Sequence, residues 1–301
     1  MKRKTPPPPT EANTLDFKLI AEPLRQLLVA VPNLVEREDH PLLRDEPDFR
    51  EFLHFQLLGQ VWLHRLVSFA TATTPHDPQR FPEYVAALFP TLRSQLELLM
   101  TLMFVLEKHP ERFRHFKKAG WAKALDDLRR NEKEYETDPS MSEFLKGERF
   151  FVEIAEAKAA LSDDEKAHPE KIPWWPNPGK FKKLAEQPVS GVLGKLDHWL
   201  YDELSRAAHF NLLGTLDVGV ILQTLKYSHG SEWEVWVARH RSIAGFRSIG
   251  LVLATFSEIE MKFQFGTRSK LMFIWEVAAE KIPFIQDLYG LRWRDGLRAL
   301  P

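Results

Sequence analysis

Leu92-Arg93-Ser94-Gln95-Leu96-Glu97-Leu98-Leu99-Met100-Thr101-Leu102-Met103-Phe104-Val105-Leu106 is the stretch whose reading decides the fold. From Leu96 onward only Glu97 and Thr101 interrupt the apolar side chains. A helix that is apolar all round is stable only when other elements surround it. The run from Leu96 to Leu106 is too short to cross a bilayer, which takes about 20 residues. Before Arg93 the same segment is amphipathic. The pattern therefore predicts a helix over Pro82–His109 entering the centre of an all-α, multi-helix bundle.

A second stretch, Gly194–Leu213 (GKLDHWLYDELSRAAHFNLL), predicts the partner of that helix. At about 100° per residue, His198, Tyr201, Asp202, Ser205 and His209 share an arc of roughly 100°, flanked by Leu204 and Ala208. Such a face reads as a polar seam turned into the bundle. Each buried polar group there needs a partner, because an unpaired one costs about 1–3 kcal/mol. The same holds for Glu97, which lies in the most apolar part of the chain. Arg93, one turn earlier, is its partner in sequence, and Tyr201 or His209 is its expected partner in space. Two roles fit Arg93, Glu97, Tyr201, Ser205 and His209: an ion-pair and hydrogen-bond network that fixes helix register, or an acid/base or ligand site.

Outward from these two segments the chain reads as further helices. Leu15–Val31 is broken or started at Pro23. Asp48–Ala72 is amphipathic, with Phe52, Phe55, Leu58, Val61 or Trp62, Leu66 and Phe69 at helical spacing. Glu111–Phe116 and Trp121–Tyr135 are polar helices, and Phe144–Leu161 is another. Ser162–Lys180, with four prolines and Gly179, reads as a loop. Within 222–237, the alternation Trp233, Val235, Val237 after His229-Gly230-Ser231 suggests a small β-hairpin. Arg239–Phe263 and Lys270–Leu288 close the bundle. Residues 1–14, with Pro6 to Pro9 in a row, read as a disordered proline-rich tail, and 15–301 as one helical domain.

Composition narrows the function classes. The net charge of -1 gives no field that would draw nucleic acid or an anionic membrane. With 0 Cys, thiolate catalysis and cysteine zinc sites are excluded, and a cytoplasmic location is expected. Membrane association is not expected. Phosphate-binding Gly-rich loops, Gly-x-Gly-x-x-Gly and His-Glu-x-x-His are absent, so no cofactor is expected.

Other constellations are weaker. Asp202, Ser205 and His209 hold the parts of a hydrolase triad, but a helical serine usually bonds its own i−4 carbonyl and no Gly-x-Ser-x-Gly elbow is present. Glu51 and His54 form a Glu-x-x-His pair; the only other, Glu165 and His168, falls in the proline-rich loop, so no metal is expected. Lys108, His109, Arg112, Arg114, His115, Lys117 and Lys118 form a basic cluster, with Lys180, Lys182 and Lys183 a second. Trp174 and Trp175 are candidate ligand-binding residues with His198 and Asp202, either stacking on a ligand or plugging helix ends. RNA is an admissible partner that the overall charge does not indicate.

Together, Leu92-Arg93-Ser94-Gln95-Leu96-Glu97, Trp174-Trp175 and Tyr201-Asp202-Glu203-Leu204-Ser205 with His209 resemble a bacterial helical family, the domain of unknown function numbered five-six-seven-seven. The resemblance covers roughly residues 50 to 260. It implies an all-α fold, no assigned activity, and Arg93, Glu97, Tyr201, Ser205 and His209 as the family's positions. Such domains also resemble, distantly, the HEPN ribonucleases of toxin and phage-defence systems, which place four to six residues between an Arg and a His. Here two residues separate Arg206 from His209, and none of the 11 His has an Arg at that spacing. The expectation is a binding or interaction module, with a small ligand or a protein as partner, in a stress or defence setting. Self-association is compatible with the sequence. The alternative is a ribonuclease or other phosphoester hydrolase using Arg93, Glu97 and His209.

Overall fold

The structure, a computed structural model, describes residues 17–37, 40–71, 82–208 and 231–301. The proline-rich tail, His209 and the first part of the expected hairpin, 222–230, lie outside the described residues. Every regular element among the described residues is helical: α1 (Phe17–Glu36), α2 (Pro41–Arg44), α3 (Pro47–Thr71), α4 (Pro82–Glu107), α5 (Glu111–Glu134), α6 (Ser142–Ala159), α7 (Asp163–Ala167), α8 (Pro178–Leu184), α9 (Val189–Leu196), α10 (Asp202–Ala208), α11 (Ser231–Phe263), α12 (Arg268–Lys281), α13 (Pro283–Leu291) and α14 (Trp293–Arg298). The all-α expectation holds.

These helices form two compact units, Met1–Met100 with Val192–Pro301, and Thr101–Gly191. In the first unit α11 is the central element. Every residue from Leu251 to Glu260 is buried, with α3, α13, α14 and α12 packed on it. By length and composition Ser242–Phe263 could cross a bilayer, with a mean hydropathy of 1.3, but the window is 72% buried among its neighbours. The core helix of a soluble protein passes the same test. Its polar side chains are answered locally. Thr255 donates to the Leu251 carbonyl at 2.9 Å, and Ser257 donates to the Leu253 carbonyl at 2.7 Å while accepting from the Trp275 indole at 3.0 Å.

Two expectations are corrected here. Residues 231–237 are helical, so the described part of the hairpin is the first two turns of α11. Continuity with a 33-residue core helix outweighs the local β-propensity of Trp233, Val235 and Val237. The loop expected over Ser162–Lys180 contains α7 and the start of α8. A capping box nucleates α7: Ser162 N–H donates to Glu165 Oε2 at 2.8 Å and Glu165 N–H to Ser162 Oγ at 3.3 Å.

Helix α3 turns Phe49, Phe52, Leu53, Leu57, Val61 and Val67 inward. Of the apolar stripe expected from spacing, Phe52 and Val61 are in the core, while Phe55, Trp62, Leu66 and Phe69 are exposed. In the second unit α5 and α6 pack on one another around Trp121, Leu128, Val152, Ala159 and Ile172. Glu111–Glu134 is one unbroken helix, where two were expected.

Candidate functional site

Helix α4 places Arg93 and Glu97 one turn apart, on the side that meets Tyr201. Arg93 Nε donates to Glu97 Oε1 at 2.9 Å, and its terminal nitrogen donates to the Tyr201 hydroxyl at 3.3 Å. The guanidinium also stands 5.3 Å from the centre of the Tyr201 ring. Burial alone would lower the Arg93 pKa, but the Glu97 carboxylate and the Tyr201 hydroxyl outweigh it and hold the pKa above its ordinary value. The arginine is therefore the centre of the cluster. The acid is less enclosed than the apolar run suggested, with its side chain 34% exposed against 18% for Arg93.

Tyr201 ends a short change in helical winding. Between α9 and α10, Asp197–Tyr201 forms one π-turn, in which the Asp202 N–H bonds back to the Asp197 carbonyl. Leu193, Leu196, Leu200 and Leu204 make the buried face, joined by Asp197 and Tyr201, while His198 and Asp202 stand exposed. The expected seam is corrected: the buried positions 193, 196, 197, 200, 201 and 204 keep regular helical spacing, so the leucine side of the helix faces inward and the arc of His198 and Asp202 does not. Ser205 Oγ is enclosed and meets no hydrogen-bond partner among the described residues, so it does not bond its i−4 carbonyl as expected. Next to it, Glu203 accepts both terminal nitrogens of Arg247, each at 2.9 Å, which clamps α10 to α11.

Trp174 and Trp175 belong to the second unit and do different things. Trp175 packs edge-on against Phe104, Phe116 and Phe181, plugging an aromatic cluster. Trp174 is 63% exposed and borders a cleft of about 160 Å³ with Asp126, Arg129 and Ile172. The basic cluster is largely committed. Arg112 is buried against Glu107, with its guanidinium 3.7 Å from the Phe104 ring centre. Lys118 pairs with Glu165 at 2.5 Å and Lys108 with Glu186 at 2.6 Å. His54 of the Glu-x-x-His pair contacts the Pro32 carbonyl at 3.2 Å. Among the described residues no three His, Asp or Glu side chains gather as a metal site would need.

Several buried polar groups went unpredicted. Gln60 donates to the Gln95 carbonyl at 2.7 Å between α3 and α4. His64 Nδ1 lies 2.9 Å from Ser248 Oγ. Glu258 accepts from the Trp293 indole at 2.8 Å and from Arg292 at 3.1 Å. The available signal was the one that exposed Glu97, a polar residue within an apolar run.

In comparisons with known proteins, the chain matches no protein-family profile, no curated protein and no solved structure.

Proposed function

We propose that this chain is a helical binding and interaction protein in which Arg93, Glu97 and Tyr201 hold α4 against the α9–α10 segment. One observation carries the reading: the Arg93 guanidinium is occupied by internal partners on both sides, Glu97 and Tyr201. A phosphoester hydrolase would aim that cation at a substrate and keep the acid free as a base. The proposal includes kinship with the helical family named above, a bacterial stress or defence setting, and a cytoplasmic location.

The test is Arg93→Met and Glu97→Gln, read by thermal melting and by cleavage of a labelled single-stranded RNA. The pair is partly solvated, so each change should cost about 1 kcal/mol rather than the 3–5 of a fully buried pair. Wild type should leave the RNA intact. Variants that melt like wild type would remove the structural role, and RNA cleavage lost in Glu97→Gln would establish the hydrolase.

A further inference from the structure

Helix α3 carries apolar residues on two opposite sides. Its inner face is the core already described. On the other side, Phe55, Trp62, Leu66 and Phe69 are 59%, 61%, 57% and 71% exposed, with Leu58 half-buried beside them. At about 100° per residue these five positions fall in an arc of roughly 80°. They form a continuous stripe about 21 Å long.

The spacing of the stripe is its informative property. Positions 55, 58, 62, 66 and 69 are separated by 3, 4, 4 and 3 residues, the same read in either direction. A two-fold axis at Trp62 therefore maps the set onto itself. Trp62 meets its own copy, Phe55 meets Phe69, and Leu58 meets Leu66. No like charges are forced together near the axis, because Arg65 falls opposite Gly59. Phe55, Trp62 and Phe69 recur every seven residues, and the drift of about 20° per heptad is what an antiparallel helix pair takes up by crossing at about 20°.

We propose that α3 is a self-association surface on which two copies of this chain pair antiparallel about Trp62. The four exposed side chains present about 500 Å² per copy. With a polar rim this approaches the ~800 Å² per partner of a standard interface. Self-complementarity of this kind is what a closed two-fold dimer requires.

The chain has 0 Cys, so single introduced cysteines report directly on the geometry. By light scattering at chain concentrations on the order of 100 μM, well above a micromolar dissociation constant, wild type should show twice the 35.0 kDa chain mass. Trp62→Glu should return it to the single mass with an unchanged circular dichroism spectrum. Under mild oxidation Trp62→Cys should cross-link to itself. Phe55→Cys should cross-link to Phe69→Cys in a mixture but not to itself, since two copies of position 55 lie about 21 Å apart. A wild type that stays monomeric overturns the proposal, as does self-cross-linking of Phe55→Cys as readily as of Trp62→Cys. So does sedimentation of monomeric wild type with phosphatidylcholine–phosphatidylglycerol vesicles that Trp62→Glu abolishes.

Discussion

His64 of α3 and Ser248 of α11 meet with Nδ1 and Oγ 2.9 Å apart, although 184 residues separate them in the chain. The histidine is 7% exposed, and Ser68 Oγ approaches its other ring nitrogen at 3.4 Å. Burial, with a smaller contribution from Arg65, pushes its pKa from 6.5 down to about 4. The contact joins the two helices that dominate the first unit, so its protonation state bears on the whole unit.

A pH dependence of stability follows. Between about 4 and 6.5 the unfolded chain binds a proton at His64 that the folded chain refuses. Stability from this group is therefore complete above pH 6.5 and is lost as pH falls through 4. A shift of this size corresponds to about 3 kcal/mol. Chemical denaturation at pH 7 and pH 4.5 should show a smaller loss on acidification for His64→Gln than for wild type. Equal losses would place the acid sensitivity elsewhere.

The second unit has its own buried charge pair. Arg112 donates to the Phe104 carbonyl at 2.7 Å and the Leu184 carbonyl at 3.0 Å, besides pairing with Glu107. The side chains are only 9% and 10% exposed. Removing one partner should leave an uncompensated charge, so Arg112→Met should cost about 3–5 kcal/mol. Adding Glu107→Gln should recover part of that loss, measured as a positive coupling in a double-mutant cycle by urea denaturation.

Helix α12 starts without a conventional cap, since Thr267 makes no side-chain capping bond. The carboxylate of Glu260, from the last turn of α11, does this work instead. It accepts the Gly266 N–H at 3.2 Å, the Thr267 hydroxyl at 2.9 Å and the Arg268 N–H at 3.2 Å. Gly266 holds the turn at φ +80°, a conformation glycine adopts without penalty. Glu260→Ala should cost about 2 kcal/mol, the upper range for a lost cap, while Glu260→Gln should retain about half, both read from thermal melts.

These cases show which parts of the structure were legible in the sequence. The all-α class was, because helical spacing recurs in segment after segment and the apolar run Leu96–Leu106 continues one of them. The Arg93–Glu97 pair was, because an acid in an apolar run needs a cation and one stood a turn away. The inner face of α3 was not legible, since apolar residues lie on both of its sides and periodicity alone cannot rank the two. The exposure of His198 and Asp202 was legible, because Leu193, Leu196, Leu200 and Leu204 recur at helical spacing on another side and a helix turns its apolar stripe inward. The hairpin expected over 222–237 failed in its described part because three alternating residues weigh little against a long core helix. His64, Gln60 and Glu258 were readable in principle, each lying on the apolar face of its own helix.

Glu258 is the sharpest test of that last signal. Its carboxyl is 3% exposed, with Trp293 and Arg292 as donors. Burial raises its pKa despite the opposing pull of Arg292 and Trp293. The folded chain therefore keeps a proton that the unfolded chain releases above about 4.5, and the stability this group contributes falls as pH rises through its folded value. Glu258→Gln keeps an acceptor for the indole and removes the titration. The melting temperature of Glu258→Gln relative to wild type should therefore rise between pH 5 and pH 8. A constant or falling difference would mean that Arg292, not burial, sets the state of the carboxyl, and that the acid is held charged inside the helices.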